Sequence, residues 1–230
     1  MKEAIRVDAL EKNYGSIRAL DGIDFKIYSG EVVGLLGPNG AGKTTTMSII
    51  AGLLTPDDGQ LHYRGAAVTR KSKSLTAELG VVPQELAIYP DLTAYENLTF
   101  FGRLYRLKGQ ELDQRIEFAL DRSGLTANAE RPARTFSGGM KRRLNFACGL
   151  LHEPKLLMLD EPTVGVDPQS RAYLLDCVRQ LRDDGVTGLY ASHYMEEVED
   201  ISDRVVIIDH GELVTSGTQE ELLGKLPIDI

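Results

Sequence analysis

The chain of 230 residues is long enough to bury a sizeable apolar core, and its 42% hydrophobic and 26% charged residues are ordinary for a globular protein. A formal net charge of −8 and a pI near 5.1 argue against nonspecific nucleic-acid binding, which favours a basic surface, so no nucleic-acid partner is expected. Two cysteines in a chain of this length exclude a disulfide framework and favour a reducing compartment.

The first third of the chain predicts strands around one helix. AIRVDAL and IDFKIYSGEVVGLLG are typical of strands, first with polar alternation and then with the fully apolar run VVGLLG. A helix is expected from Thr44 to about Leu53, followed by an edge strand in GQLHYRG. The alternating strands predict a small antiparallel layer beside a parallel core.

A helical segment interrupts the strands in the middle of the chain. After a buried strand in ELGVVPQ, Thr93 and Glu96 predict a capping box for a helix over 94–107. The apolar side of this helix would carry Leu98, Phe101, Leu104 and Tyr105. Further helices are expected over about 110–123 and after FSGG, so three successive helices predict an inserted helical lobe.

Strands resume in the last third. KLLMLDEP and VTGLYASH predict buried strands, and the helix between them would begin with Asp167 as N-cap and Pro168 at its first position. YMEEVEDI predicts a short helix, and RVVIIDHGELVTSG predicts a hairpin that turns at His210-Gly211. Thr218 and Glu221 predict the capping box of a terminal helix. Strands that alternate with helices predict an α/β fold with a mainly parallel sheet.

The strongest chemical signal is GPNGAGKT at residues 37–44, which matches G-x-x-x-x-G-K-[ST] in full between a predicted strand and a predicted helix. Its glycines would let the backbone amides point at phosphates, while Lys43 brings a charge to the outer phosphates and Thr44 a hydroxyl to Mg²⁺. The alternative is a tight turn with a chance lysine. The candidate nucleotide-binding residues here are Gly37, Pro38, Asn39, Gly40, Ala41, Gly42, Lys43, Thr44 and Thr45.

A pair of carboxylates follows the buried run LLML. Asp160 at the strand tip suits a water-mediated hold on Mg²⁺, and Glu161 is placed to polarise a water that attacks the terminal phosphate. The alternative is a strand that ends in two solvated acids. Because no guanine-reading [NT]KxD motif is present, ATP is the expected nucleotide.

A second anion site is predicted in RTFSGGMKRR, residues 134–143. Ser137, Gly138 and Gly139 would open a helix and offer backbone amides and a hydroxyl to an anion, or would only cap the helix. Lys141 to Arg143 are expected to form a solvated helix face, with phosphate steering as the alternative. One domain would thus carry two phosphate sites.

These motifs, in order with NYGS, VPQE, VGVD and ASH, resemble the ATP-binding subunits of ABC transporters over nearly the whole chain, most specifically in the serine-glycine-glycine signature. The resemblance implies a single domain over 1–230, with a P-loop nucleotide hydrolase core formed by 1–84 and 141–230 and the helical lobe over 85–140. It also implies that two copies pack head to tail, so that each signature serine caps the ATP in the partner's phosphate loop.

The same resemblance assigns further roles. Tyr14 would stack on adenine, or be an ordinary strand-end tyrosine. Gln84 would touch the metal or the attacking water and report to the lobe, while His193 would contact the terminal phosphate and hold Glu161. Asp167 would lie at the dimer seam, or serve only as an N-cap. The remaining histidines are expected to be structural: His62, His152 and His210.

Two departures and one similarity refine the resemblance. Phe136 and Met140 stand where the commoner family pattern has leucine and glutamine, which puts in doubt the polar contact that glutamine makes across the seam. FSGGM with KRR, EPTVGVDP and LTAYENLTFFGRLY are similar to bacterial exporters of drugs, antibiotics or polysaccharides. The implied function is an ATPase that powers export with a second ATP-binding subunit, identical or different, and separate transmembrane permease subunits.

The expected location is the cytoplasmic face of the membrane. No signal peptide and no run of the ~18 apolar residues needed to span a bilayer is visible. The aromatic-rich segment of the lobe has more large apolar residues than one helix face can bury, so some should line a groove for a permease helix. These residues are Tyr89, Leu92, Tyr95, Phe100 and Phe101.

Two rival functions remain at this point. A soluble ABC-type ATPase that acts on ribosomes or DNA would often carry tandem cassettes or a long coiled-coil insertion, and this chain has neither. A nucleotide kinase would leave the second glycine-rich helix start unexplained.

Overall fold

The computed structural model describes residues 2–69 and 72–224. Arg70 and Lys71 belong to the basic loop RKSKS, which the sequence predicts to be solvated, and they lie outside the described residues. The strands are β1 (Glu3–Tyr14), β2 (Ile17–Tyr28), β3 (Val32–Leu36), β4 (Asp58–Tyr63), β5 (Ala66–Ala67), β6 (Leu79–Val82), β7 (Leu156–Asp160), β8 (Thr187–Ser192), β9 (Arg204–Asp209) and β10 (Glu212–Thr218). The helices are α1 (Lys43–Ile50), α2 (Lys73–Glu78), α3 (Ala94–Leu104), α4 (Gly109–Arg122), α5 (Gly138–Leu150), α6 (Pro168–Asp183), α7 (Met195–Ile201) and α8 (Gln219–Leu223).

A six-stranded sheet in the order β10-β9-β3-β8-β7-β6 forms the centre of the described chain. Its strands are parallel except for the β9–β10 hairpin, which confirms the mainly parallel α/β fold. Consecutive residues of β7 point to opposite faces: Met158 packs with β1, β2 and α1, whereas Leu157 and Leu159 pack with α5, α6 and α7. Covered on both faces, β7 reads as a continuous apolar run.

The predicted antiparallel layer is confirmed as a four-stranded sheet, β2-β1-β4-β5, among the described residues. Its inner side chains, such as Ile5 and Ile23, share one core with Val33 of the central sheet. The expectation that GQLHYRG forms an edge strand was wrong. β4 pairs with β1 on one side and with the two-residue strand β5 on the other, because the chain turns back at once after Tyr63.

The helical lobe has a core of its own, built by α3, α4 and α5. The capping box is confirmed, since the Glu96 amide donates to Thr93 Oγ1 at 3.0 Å and the Thr93 amide to Glu96 Oε2 at 2.8 Å. The predicted apolar side of α3 was partly wrong: Leu98 is buried, but Leu104 is 64% exposed. Six residues turn an α-helix through about 240° beyond a full turn, which carries Leu104 away from the Leu98 face.

Helix α5 belongs to two cores at once. Leu144 and Cys148 pack inside the lobe, whereas Phe146 and Leu150 pack against the central sheet. The lobe boundary predicted at residue 140 therefore falls near the start of a helix that both parts share, and it stays a prediction. The N-cap at Asp167, the hairpin turn at His210-Gly211 and the terminal capping box are confirmed. Among residues 2–69 and 72–224, no helix combines the length and the apolar character needed to cross a bilayer.

Candidate nucleotide-binding and active site

The loop over 37–44 joins the carboxyl end of β3 to the start of α1, where free backbone amides favour an anion. Gly42 takes φ +107°, and a Cβ there would lie 2.7 Å from Leu20 Cδ2 and 2.8 Å from the Ala19 carbonyl oxygen. Only glycine meets both demands without strain. The loop is also held from outside, since the amide of Gly211 in the β9–β10 turn donates to the Ala41 carbonyl at 3.1 Å.

Lys43 lies inside this loop and is buried. Its ammonium donates to the carbonyls of Gly37 at 2.7 Å and Pro38 at 3.0 Å, and it lies 3.2 Å from Glu161 Oε1. A buried ammonium must be paired and hydrogen-bonded, and these three oxygens meet that need. The charge of Lys43 is therefore held at the concave side of the loop, where phosphates would be bound.

Glu161, the first residue after β7, is the meeting point of the site. Its buried carboxylate receives Gln84 Nε2 at 3.4 Å on Oε2 and has His193 Nδ1 at 3.3 Å from the same oxygen. Its backbone takes φ +46°, a left-handed conformation that costs a non-glycine residue about 1–3 kcal/mol. The Glu161 amide donates to the Ala191 carbonyl of β8 at 3.0 Å, which holds the strained turn.

The order of the central sheet explains why these residues meet. Strands β3, β8, β7 and β6 are neighbours and parallel, so their carboxyl ends lie at one edge. They supply, in that order, the phosphate loop, His193, Glu161 and Gln84. Ligands bind outside the carboxyl ends of strands in open α/β sheets, and this edge is such a place.

Asp160 ends β7 and is buried beside Thr44. Burial raises the pKa of the Asp160 carboxyl, although a hydrogen bond from Thr44 opposes the effect. Asp160 Oδ1 is buried without a hydrogen-bond partner. An unpartnered carboxylate oxygen next to a hydroxyl is a donor set that Mg²⁺ accepts. Within the described part of the chain, no group of three or more His, Cys, Asp or Glu side chains is placed to hold a metal alone, so Mg²⁺ would need phosphate ligands as well.

Tyr14 lies apart from these groups, at the end of β1, with an exposed side chain. It pairs with Ile17 at the start of β2, and β2 carries Ala19 and Leu20 against Gly42. Strand β2 therefore places Tyr14 on the same side of the protein as the phosphate loop. Its contact with adenine stays a prediction. His62 contacts Asp8 at 3.1 Å, His152 stacks on Tyr105, and His210 is an exposed turn residue.

The serine-glycine-glycine segment begins α5 as predicted. Ser137 is the N-cap, and its Oγ accepts from the Met140 amide at 3.2 Å, while Ser137 and Gly138 are exposed. Gly139 faces α6, where a Cβ would overlap Ser170 Oγ and lie 2.9 Å from Asp167 Oδ2. The N-cap role of Asp167 is confirmed, because the Ser170 amide donates to Asp167 Oδ1 at 2.9 Å. The place of Asp167 at a dimer seam stays a prediction.

The expected solvated face at Lys141 to Arg143 was wrong for both arginines. The Arg142 guanidinium donates to the Gln84 carbonyl and, at 3.2 Å, to the Val164 carbonyl. Arg143 donates to the Ser123 carbonyl at the end of α4 at 3.1 Å. Burial lowers the pKa of the Arg142 guanidinium. The reason is tertiary, because guanidinium groups complete the hydrogen bonds of carbonyls that lie far away in sequence.

Asn145, one turn further along α5, was missed by the sequence analysis. Its side chain is buried, accepts from the Ala87 amide at 2.9 Å and donates to the Pro83 carbonyl at 3.2 Å. Arg142 and Asn145 thus hold the backbone on both sides of Gln84. An asparagine among the apolar residues of LNFACGL was the available signal, because a buried polar side chain needs specific partners.

Comparison with known proteins adds the family context. Residues 20–164 match the family described as ABC transporter. The chain is 47% identical to the linearmycin resistance ATP-binding protein LnrL of Bacillus subtilis, over 96% of this chain and 71% of that protein. It is 41% identical to the daunorubicin resistance ATP-binding protein DrrA3 of Streptomyces coeruleorubidus, over 95% of this chain and 69% of that protein.

Solved structures agree with this comparison. cbiO1 from Clostridium perfringens, part of the ABC transporter complex cbiONQ, superposes with a TM-score of 0.88 at 28% identity, covering 98% of this chain and 92% of that one. The ATP-binding cassette MJ0796, described as a dimer in a post-hydrolysis state with ADP and Pi, has a TM-score of 0.82 at 26% identity and covers 93% of this chain and 98% of its own.

The Arg142 contacts predict a measurable loss of stability. Arg142→Gln removes charged hydrogen bonds to the carbonyls of Gln84 and Val164, so the free energy of unfolding in urea should fall by about 1–3 kcal/mol. Lys141→Gln on the same helix removes one positive charge as well and should change it by less than about 0.5 kcal/mol. Equal effects of the two substitutions would mean that Arg142 acts only through its charge.

Proposed function

Because this chain belongs to the ABC transporter family and is an ATP-hydrolysing subunit of a membrane transporter, we propose that it powers export by closing on a second ATP-binding subunit. The observation that carries this proposal is the meeting of Lys43, Gln84 and His193 at the Glu161 carboxylate. Two relatives whose names describe resistance to an antibiotic or a drug support the direction of transport. The rival function on ribosomes or DNA has no comparable support.

ATP binding rests on the loop over 37–44. A triphosphate offers Lys43 anionic oxygens in place of the Gly37 and Pro38 carbonyls, and the amides at the start of α1 add their own donors. Thr44 and Asp160, with Gln84, are the residues that would hold Mg²⁺. When bound, Mg²⁺ supplies positive charge that neutralises the phosphate oxygens. Tyr14 is proposed to contact adenine from the end of β1.

Glu161 is the proposed general base. The water oxygen forms a bond to the terminal phosphorus, the bond from that phosphorus to the oxygen of ADP breaks, and the water proton moves to the Glu161 carboxylate. Gln84 donates to Oε2 at 3.4 Å and His193 Nδ1 lies 3.3 Å from the same oxygen, so both side chains are placed to orient the carboxylate. Lys43 offsets the charge of Glu161 until phosphate competes for the ammonium, so loading of the loop also frees Glu161 to accept a proton.

The second phosphate site supports a composite site made by two subunits. Ser137 and Gly138 are exposed at the first turn of α5, a helix of 13 residues, so backbone amides and a hydroxyl face outward. A second subunit related by two-fold symmetry would bring its own Ser137 to this chain's phosphate loop. Both subunits would then contribute to each ATP, and hydrolysis would release the seam between them.

The membrane partner is proposed to bind on the lobe. A groove of about 520 Å³ lies along α3 and is lined by Leu92, Tyr95, Glu96, Thr99, Phe100, Arg103 and Leu104. Tyr89 and Phe100 are exposed and pack edge to face at 4.8 Å. Phe101 packs against the lobe core instead, so it is excluded from the predicted docking set. A permease helix in this groove would place the chain at the cytoplasmic face of the membrane.

The roles of Lys43 and Glu161 predict two different defects. Lys43→Ala removes charge from the phosphate cradle, so the Kd for ATP should rise about tenfold or more while hydrolysis is lost. Glu161→Gln keeps the shape but not the base, so ATP should stay bound and the ATP-dependent dimer should persist. Equilibrium titration, size-exclusion chromatography and phosphate release measure these outcomes. Near wild-type hydrolysis in Glu161→Gln would refute the proposed base.

The composite site predicts rescue between two inactive variants. In a mixture of Ser137→Arg and Lys43→Ala chains, the Ser137→Arg subunit keeps its own loop and receives an intact serine from its partner. ATPase activity should return to about a quarter of the wild-type rate, because half of randomly formed dimers are mixed and each has one whole site. Sites confined to one chain predict no rescue, because neither chain has both elements.

A matched control uses the double variant Ser137→Arg/Lys43→Ala in place of Lys43→Ala. Mixed dimers then have no whole site under either arrangement, so activity should stay absent. Absence of rescue in the first mixture, with mixed dimers demonstrated by two different tags, would contradict the composite site.

The docking groove predicts a loss of coupling. Phe100→Asp places a charge in the groove, so transport by the complete transporter in membrane vesicles should fall while basal ATP hydrolysis of the chain is kept. Val214→Asp adds the same charge at an exposed apolar position of β10 and should leave transport unchanged. Equal transport by the two variants would exclude this groove as the docking site.

A further inference from the structure

Glu197 is a buried carboxylate beside the active site, and none of the binding or catalytic roles proposed above involves it. It lies in the first turn of α7 and is 3% exposed. A buried carboxylate is stable only where donors replace its lost water. The sequence shows an anomaly here, because Glu197 shares the helix face of the buried residues Val198 and Ile201, where an apolar side chain is expected.

The carboxylate is surrounded by donors from separate elements. Thr163 Oγ1 lies 2.8 Å from both Glu197 oxygens, and the Tyr190 hydroxyl donates to Oε2 at 2.8 Å. Ser192 Oγ donates to Oε2 at 3.1 Å, and Arg171 Nε of α6 lies 3.3 Å from Oε1 as an ion pair. The turn after β7, strand β8 and helix α6 therefore meet at one charge.

Two of these donors are next to the groups that act on the phosphate. Thr163 lies two residues after Glu161, in the turn that must hold Glu161 at φ +46°. Ser192 directly precedes His193, and its Oγ accepts from the Tyr194 amide at 3.0 Å while it donates to Glu197. The backbone on both sides of His193 and the turn after Glu161 are thus tied to one carboxylate.

We propose that Glu197 is a positioning residue for ATP hydrolysis, which sets His193 and Glu161 at their 3.3 Å separation through Ser192 and Thr163. This inference rests on the roles proposed above for Glu161 and His193. Strain at Glu161 persists only where its surroundings over-determine it, and the Thr163 bonds supply part of that constraint. The Glu197 carboxylate is 3% exposed and is bonded to protein donors, so its proposed effect is on rate and not on binding.

The test compares Glu197→Gln with Glu196→Gln in the full chain. Glutamine has one acceptor oxygen and presents an amide group to hydroxyl donors, so the network loses its centre without losing volume. The kcat for ATP hydrolysis should fall about 10- to 100-fold, while the KM and Kd for ATP stay within about twofold. Glu196 is exposed on the same helix, and its variant should match the wild type.

A pair of substitutions at Thr163 covers the case in which Glu197→Gln does not fold. Thr163→Val removes the hydroxyl and should reproduce the fall in kcat, whereas Thr163→Ser restores the donor and should recover most of the rate. Equal rates for the valine and serine variants would overturn the proposal. A Kd for ATP that weakens in parallel with kcat would overturn it as well, because a merely structural role would have that effect.

Coupling to His193 supplies the decisive measurement. If Glu197 acts partly through His193, Glu197→Gln in a His193→Ala background should lower kcat by a smaller factor than it does in the wild-type background. Full multiplication of the two effects would overturn the inference. Hydrolysis that survives Glu161→Gln would count against the proposed base, whereas hydrolysis lost in Glu161→Gln but kept in Glu197→Gln would count against Glu197 alone.

Discussion

A buried carboxylate at the end of β7 is the constraint on which the rest of this structure depends. Glu161 must be paired, because an isolated buried charge is too costly, and its Oε1 lies 3.2 Å from the Lys43 ammonium of the phosphate loop. Its partners come from the loops after three other strands of the same sheet, which supply Lys43, Gln84 and His193. Only a sheet in which these strands are parallel neighbours brings all of them to one edge.

The same constraint links the chemistry to the helical lobe. Gln84 contacts Glu161 with its side chain, while its backbone carbonyl receives Arg142 from α5. Asn145 holds the adjacent backbone, and α5 itself packs in the lobe core and against the central sheet. A change in the partners of Lys43 on phosphate binding therefore has a short physical route to the lobe: from Glu161 to Gln84 and then to α5.

Buried polar groups in this chain divide into those that face a ligand and those that hold other groups. Asp160 keeps an oxygen without a protein partner, which suits a role toward a cation, whereas Glu197 has all its neighbours inside the protein. Lys43 belongs to both kinds. Its partners in this structure are two loop carbonyls and Glu161, and a bound phosphate could take the place of all three. Variants of groups that face a ligand are therefore expected to change nucleotide or metal binding, whereas variants of groups that hold other residues are expected to change the rate of hydrolysis.

The sequence by itself determined the features that depend on local patterns: the phosphate loop at Lys43, the capping box at Thr93, the N-cap at Asp167 and the alternation of buried strands with helices. Neighbouring residues create these features, so spacing is sufficient to predict them. Only the tertiary structure decided that Arg142 and Arg143 bind distant carbonyls, that Leu104 faces solvent, and that Glu197 joins the turns of Glu161 and His193. The partners of a long polar side chain lie far away in sequence, and a pattern of residue types holds no information on which carbonyls or carboxylates folding will bring within 3 Å.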